Sequence, residues 1–336
     1  MPFIQEILKY KSLSIVGLEK NTGKTECLNY ILNRLPLSKI KVAVTSIGID
    51  GEGKDRVTET KKPEIYLKKG VIFSTDEANY NNRDLVSNLL QITGERGALG
   101  RIITAECVIG GKILLSGPSY SEALKRWSRE VEVLGVDLKI IDGAISRISS
   151  ASPAISEAMI LATGAALSLN INTLVAKTKF MVELIKLGKV SYDIAKSLEK
   201  IDSGIWEINS NGKIKDLGIN SSLLIGSADY VVLKKVKRIF LSGALTDKFI
   251  ERLENKKIEI IVRDFTKIFL SELEYRKFIA AGGKILVLER SNLIAVCVNP
   301  TSPKGYSFNS DVLCEALKKE ISIPVYDIFK EIRNEI

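Results

Sequence analysis

The stretch Gly17-Leu-Glu-Lys-Asn-Thr-Gly23-Lys24-Thr25 constrains this chain more than any other. Ahead of it, Leu13–Val16 is a short apolar run of the kind that forms a buried strand. Behind it, Thr25–Leu35 places Cys27, Leu28, Ile31 and Leu32 at helical spacing. A strand that runs through glycines and a lysine into a helix makes an anion cradle. Glycines let successive backbone N–H groups point inward at phosphate oxygens, and the helix N-terminus adds its positive dipole. Gly17, Glu19, Lys20, Asn21, Thr22, Gly23, Lys24, Thr25 and Glu26 are therefore the candidate nucleotide-binding residues. Lys24 is placed to bridge the β- and γ-phosphates, and the Thr25 hydroxyl to bind Mg²⁺.

Two acidic residues stand where such a loop needs them. Ile40–Ile47 is rich in β-branched residues and reads as a buried strand, with Asp50 following it. Leu138–Ile141 is another strand and runs straight into Asp142-Gly143-Ala144. A buried strand that delivers one carboxylate to the sheet edge can hold Mg²⁺ through water. Lys24, Asp50 and Asp142 are the candidate catalytic residues, and Thr25, Asp50 and Asp142 the candidate Mg²⁺ residues. Glu52 and Asp55 lie behind Asp50 in the polar stretch Asp50–Lys62, which reads as a loop, and Arg147 reads as a surface arginine. Guanine is read by Asn-Lys-x-Asp, and the nearest phrase, Asn255-Lys256-Lys257, lacks the Asp. ATP is therefore expected over GTP. Asn299 follows a late strand and either contacts the base or makes a ligand-free turn.

The alternation of strands and helices predicts an α/β fold, with a mostly parallel sheet, flanking helices, a β-hairpin insertion and a C-terminal α/β part. Strands are expected at Val71–Ser74, Arg238–Leu241, Ile258–Val262, Lys284–Leu288 and Leu293–Val298. Leu99–Val108 and Lys112–Ser116 flank Gly110-Gly111 and read as a hairpin. Helices are expected at Arg83–Ile92, after the Ser119–Glu122 capping box, from Ser152-Pro153 to Leu169, and after the Ser271–Glu274 capping box. The apolar stretch Met159–Val175 reads as a buried helix followed by a strand. A lobe boundary near residue 200 divides a nucleotide-binding lobe, 1–200, from a C-terminal α/β lobe, 201–336.

Composition removes several chemistries. Histidine is absent, so imidazole bases, His-based triads and most catalytic zinc or iron sites are excluded. The four cysteines, Cys27, Cys107, Cys297 and Cys314, are far apart and read as buried reduced thiols. Met159–Val175 contains Thr163, Ser168, Asn170, Asn172 and Thr173, so it is not a membrane span, and the N-terminus is not a secretory signal. A cytoplasmic protein is expected. The net charge of +9 includes the run Lys234, Lys235, Lys237 and Arg238, which reads as a solvated face in preference to a nucleic-acid surface.

Five residues separate Gly17 from Gly23, where the common loop has four. This longer form resembles the dethiobiotin synthetase-like branch of P-loop NTPases, which includes ParA-type ATPases. The signature lysine of ParA-type members falls here on Glu19, with Lys20 one place later. Asp142-Gly-Ala is similar to the Glu-Gly-Ala of dethiobiotin synthetases. Thr45-Ser-Ile-Gly-Ile-Asp-Gly-Glu52, Leu114-Leu-Ser-Gly-Pro-Ser119, Ile141-Asp-Gly-Ala-Ile-Ser-Arg147 and Leu161-Ala-Thr-Gly-Ala-Ala166 narrow it further. Together with the loop they resemble the P-loop subunit of the lysine 5,6-aminomutase reactivase. That resemblance implies an ATP-dependent repair chaperone that, with a MutS-like subunit, exchanges damaged cobalamin in the aminomutase. Two other readings stay open: a dethiobiotin synthetase-like ligase acting on a small carboxylate, and a nucleic-acid-linked ATPase. Against the ligase, Lys62-Pro63 lies well beyond the second strand, where those enzymes carry Lys-Pro directly.

Overall fold

The computed structural model describes residues 3–47, 64–97, 99–118, 120–144 and 152–333. Asp50, Glu52, Asp55, the Asp50–Lys62 loop, Lys62-Pro63, Ser119 and Arg147 lie outside these residues. The chain begins with α1 (Ile4–Ile7), β1 (Ser12–Gly17), α2 (Lys24–Arg34), β2 (Val42–Ser46), β3 (Ile65–Leu67) and β4 (Ile72–Asp76). Next come α3 (Glu77–Asn81), two long strands, β5 (Asp84–Gly97) and β6 (Gly100–Ile113), then α4 (Ser121–Val133), β7 (Leu138–Ala144), β8 (Ala158–Gly164) and α5 (Ile171–Ile185). A second α/β run follows: α6 (Tyr192–Leu198), β9 (Ile205–Ile208), β10 (Ile214–Ile219), α7 (Ser227–Leu233), β11 (Arg238–Leu241), β12 (Leu245–Thr246), α8 (Asp247–Glu251), β13 (Glu259–Val262), β14 (Ile268–Phe269), α9 (Glu272–Ala280) and β15 (Lys284–Val287). The chain closes with β16 (Asn292–Asn299), α10 (Ser310–Glu320), β17 (Val325–Asp327) and α11 (Ile328–Arg333).

The main sheet has ten strands in the order β17-β16-β8-β1-β7-β2-β4-β6-β3, with β5 paired to β6. From β17 to β4 every neighbour is parallel, and β3, β5 and β6 are joined antiparallel. Side chains alternate between the two faces of each strand, and the core that each joins follows that period. Val42, Val44, Phe73 and Ile140 share one core with Cys27, Leu28, Ile31 and Leu32 of α2. Ala43, Ile72 and Ile141 share another with Leu124, Trp127 and Val131 of α4. The result is a mixed α/β unit with a large, mostly parallel sheet between helices, as a P-loop fold requires. Both faces are covered, so the strands read as continuous apolar runs. Among the described residues no helix is long and apolar enough to cross a membrane.

The chain divides differently from the boundary expected near residue 200. One unit comprises Met1–Lys179 with Ser291–Ile336, and the other Phe180–Arg290. The second unit is thus inserted between β8 and β16 of the first. It carries its own five-stranded sheet, β10-β9-β11-β13-β15, with Val190, Leu198, Phe240 and Ile261 in its core. Ser271 caps α9 as its sequence predicts, accepting from the Glu274 N–H.

Five local expectations are corrected. Arg83–Ile92 is not a helix: residues from Asp84 onward are strand β5, because antiparallel pairing with β6 overrides the helical spacing of its leucines. Gly110-Gly111 is not a turn: β6 runs through both, and a Cβ on Gly111 would sit 1.7 Å from the Asp84 carbonyl oxygen. The glycines mark a close approach of neighbouring strands. Ser152-Pro153 does not open a helix to Leu169. The fully buried strand β8 follows instead, and Met159–Val175 is strand then helix, the reverse of the expected order. A short apolar run is ambiguous by periodicity, and here the gap between β1 and β16 claims it. At α4 the N-cap is Tyr120, without a side-chain cap bond.

Candidate nucleotide site

The cradle grows from β1, which is buried along its whole length and ends at Gly17. Any side chain at Gly17 would collide with its own loop: a Cβ there would lie 2.5 Å from Thr22 Oγ1 and 2.9 Å from Lys24 Cγ and Cδ. The Lys24 side chain therefore folds back over the end of β1. Thr22 is buried, and its hydroxyl donates to the Glu19 carbonyl (2.9 Å), closing the loop on itself. Asn21 is left-handed (φ 61°), as is Gly23 (φ 89°), which N-caps α2. Asparagine and glycine are the residues that take this conformation most cheaply. Lys24 makes no ion pair among the described residues.

Asp142 stands on β7 between Ile15 of β1 and Ser46 of β2, and is 6% exposed. Its backbone carbonyl accepts from the Ile47 N–H (2.9 Å), which fixes its place in the sheet. Beside it the Ser46 Oγ is buried with no hydrogen-bond partner among the described residues. Thr25 and Glu26 begin α2 and are half-buried. Burial pushes the Glu26 carboxyl above its ordinary value.

Asn299, at the end of β16, meets the loop from the opposite side. Its Nδ2 donates to the Asn21 carbonyl (3.2 Å), and its Oδ1 accepts from the Thr301 N–H (3.0 Å). Two residues earlier, Cys297 packs on Cys27 of α2, Sγ to Sγ 3.5 Å. All four cysteines are buried free thiols, and burial raises Cys107, Cys297 and Cys314. Next to the loop lies a cavity of about 320 Å³. Its walls are Glu19–Asn21, the Ala165–Leu169 segment after β8, and Ser302–Lys304 after β16.

The predicted residues Gly17 to Glu26, Asp142 and Asn299 are thus gathered at the carboxyl ends of four adjacent strands, β16, β8, β1 and β7. Asp50 is outside the described residues. Sequence reading missed Ser46 and the two cavity walls beyond the loop. Gly164 was their one available signal: a Cβ there would lie 2.0 Å from the Asn299 carbonyl oxygen.

No protein-family model matches the chain, and no curated protein matches it. The solved structure of pNOB8 ParA bound to nonspecific DNA covers 97% of this chain and 99% of its own, at 12% identity and a TM-score of 0.25. That likeness is too slight to carry an argument about either fold or function.

Proposed function

We propose that this chain is a P-loop ATPase of the dethiobiotin synthetase-like type. We further assign it as the nucleotide-driven subunit of a chaperone that, with a MutS-like partner, replaces damaged cobalamin in lysine 5,6-aminomutase. The observation that carries the ATPase reading is the closed loop at Gly17, which only glycine fits, opening onto the N-terminus of α2 beside Asp142. The chaperone reading rests on the longer sequence phrases quoted above.

The residues fit a magnesium nucleotide. Among the described residues no three carboxylates or thiols cluster to hold a bare cation. Mg²⁺ commonly takes one or two carboxylates, waters and substrate phosphates, and such a set matches Thr25 and Asp142. The Ser46 hydroxyl beside Asp142, without a hydrogen-bond partner among the described residues, could donate to or accept from a water in that shell. When bound, Mg²⁺ supplies charge neutralisation at the β- and γ-phosphate oxygens. The chain's own work is positioning. Loop N–H groups and Lys24 hold the phosphates, Asp142 orients the metal's waters, and Asp50 is assigned to the attacking water. The cavity of about 320 Å³ lies at the small end of ligand pockets, roughly 300–1,000 Å³, and suits a nucleoside.

The test is direct. Purified protein should bind and hydrolyse ATP in preference to GTP, and Lys24→Ala should slow turnover about a hundredfold or more. Equal turnover by the variant overturns the ATPase reading. With the MutS-like partner added, the chain should restore ATP-dependent turnover to cobalamin-inactivated aminomutase. Failure there removes the chaperone role and leaves the ATPase reading to its own test.

A further inference from the structure

We infer that Asn299 is a positioning residue: it holds the phosphate loop in its binding form and ties that loop to the walls of the neighbouring cavity. The inference rests on the nucleotide-binding reading and deepens it.

The Asn21 carbonyl is the point of control. Asn21 sits in the left-handed region, which asparagine enters at low cost, so its φ alone does not fix the direction of the peptide that follows. The hold visible here is the Asn299 Nδ2 donating to that carbonyl. The peptide unit is planar and trans, so a carbonyl turned toward β16 sends the Thr22 N–H the other way. Losing the Asn299 donor frees this peptide to rotate, and a rotated peptide would turn the lone pairs of its oxygen toward phosphate oxygens in place of a donor. Gly23, next in line, leaves little slack, since a Cβ there would lie 3.0 Å from the Asn299 Cβ.

Asn299 also contacts one of the other two cavity walls and the residue that leads into the second. Its backbone carbonyl accepts from the Ala165 N–H (2.9 Å), at the head of one wall. Its Oδ1 accepts from the Thr301 N–H, just before the other. The carboxamide is suited to this: one end must donate and the other accept, and an inverted amide would set oxygen against the Asn21 carbonyl. Movement of the segments around a bound nucleoside is thereby passed to the loop that holds the phosphates. Beside the base contact and the ligand-free turn expected at Asn299, the geometry adds a third reading, a strut between the loop and the cavity.

The experiment separates strut from base contact by using a ligand with no base. Affinities for ATP, inorganic tripolyphosphate and adenosine are measured by calorimetry on wild type, Asn299→Ala and Asn299→Asp. Asn299→Asp keeps the size and the acceptor for Thr301 but puts an oxygen against the Asn21 carbonyl and adds a negative charge, so it is read against Asn299→Ala, whose loss carries no charge. Asn299→Ala should weaken ATP and tripolyphosphate by the same factor, about tenfold for one lost part-buried hydrogen bond, Asn299→Asp should weaken both further, and neither should change adenosine. A loss for ATP and adenosine with tripolyphosphate untouched makes Asn299 a base contact and overturns the inference. An equal loss for all three ligands reports a general loosening of the fold and overturns it too. Wild type that binds neither ATP nor tripolyphosphate sinks the underlying nucleotide reading instead.

Discussion

The Gly17–Thr25 loop and the β5–β6 arm both depend on glycines with no room for a side chain, yet the strand and helix around the first match the sequence expectation and the turn expected at the second does not. At Gly17 the space is filled by Thr22 and Lys24, side chains of the same nine-residue motif. At Gly111 it is filled by the backbone of Asp84, a strand away. A constraint whose two halves lie within a few residues is visible as a motif. A constraint between distant segments looks like any other Gly-Gly, and a turn is the default reading of that pair.

The contrast extends to surroundings. The loop sits at the buried ends of parallel strands, where each neighbour is set by the sheet. The arm is a sheet edge, with Val86, Leu89 and Ile92 each about half exposed, and its pairing shows several register shifts. Such irregularities are common at edges, where they discourage further pairing.

The comparison can be broken most sharply at Gly111. Gly111→Ala drives a Cβ into a backbone oxygen, which cannot step aside as a side chain can. It should cost about 2–3 kcal/mol of stability by urea unfolding, while the remaining folded protein binds ATP within about twofold of wild type. A stability change near zero would mean that the strands part easily and that the arm is loosely held. Gly17→Ala should shift the balance toward binding. The atoms in its way are the buried Thr22 hydroxyl, bonded to the Glu19 carbonyl, and the inner methylenes of Lys24, so stability should fall by about 1–2 kcal/mol while ATP affinity falls about tenfold or more. Unchanged affinity would show that the cradle tolerates a wider mouth.

The smallest expected effect is a pH dependence at Glu26, on the same helix turn as Lys24. Its folded carboxyl is raised by burial, so the folded state holds a proton that the unfolded state has already released. Stability contributed by this group therefore falls as pH rises from the usual carboxylate range through the raised value. Glu26→Gln should remove that decline and be at least as stable as wild type at neutral pH, measured as urea midpoints across mildly acid to neutral pH. A steeper decline in the variant would contradict the assignment of burial as the cause.

The sequence alone determined the glycine-bounded loop, the strand before it, the helix after it and the delivery of Asp142 by a buried strand, because each is a local pattern whose physics is complete within about ten residues. It also located most strands of both α/β runs. Tertiary structure decided the rest. Ala158–Gly164 became a strand because the sheet has a place for it between β1 and β16, and Asp84–Gly97 became one because β6 offers a partner. The 180–290 unit lies within the first by a return of the chain at Ser291, which no composition shift marks. Asn299 acquired its role only when β16 came to lie two strands from β1, bringing a carboxamide onto a loop carbonyl from the far end of the sequence. Local periodicity carries information about which face is buried; which segment does the burying is settled only by closing the whole sheet.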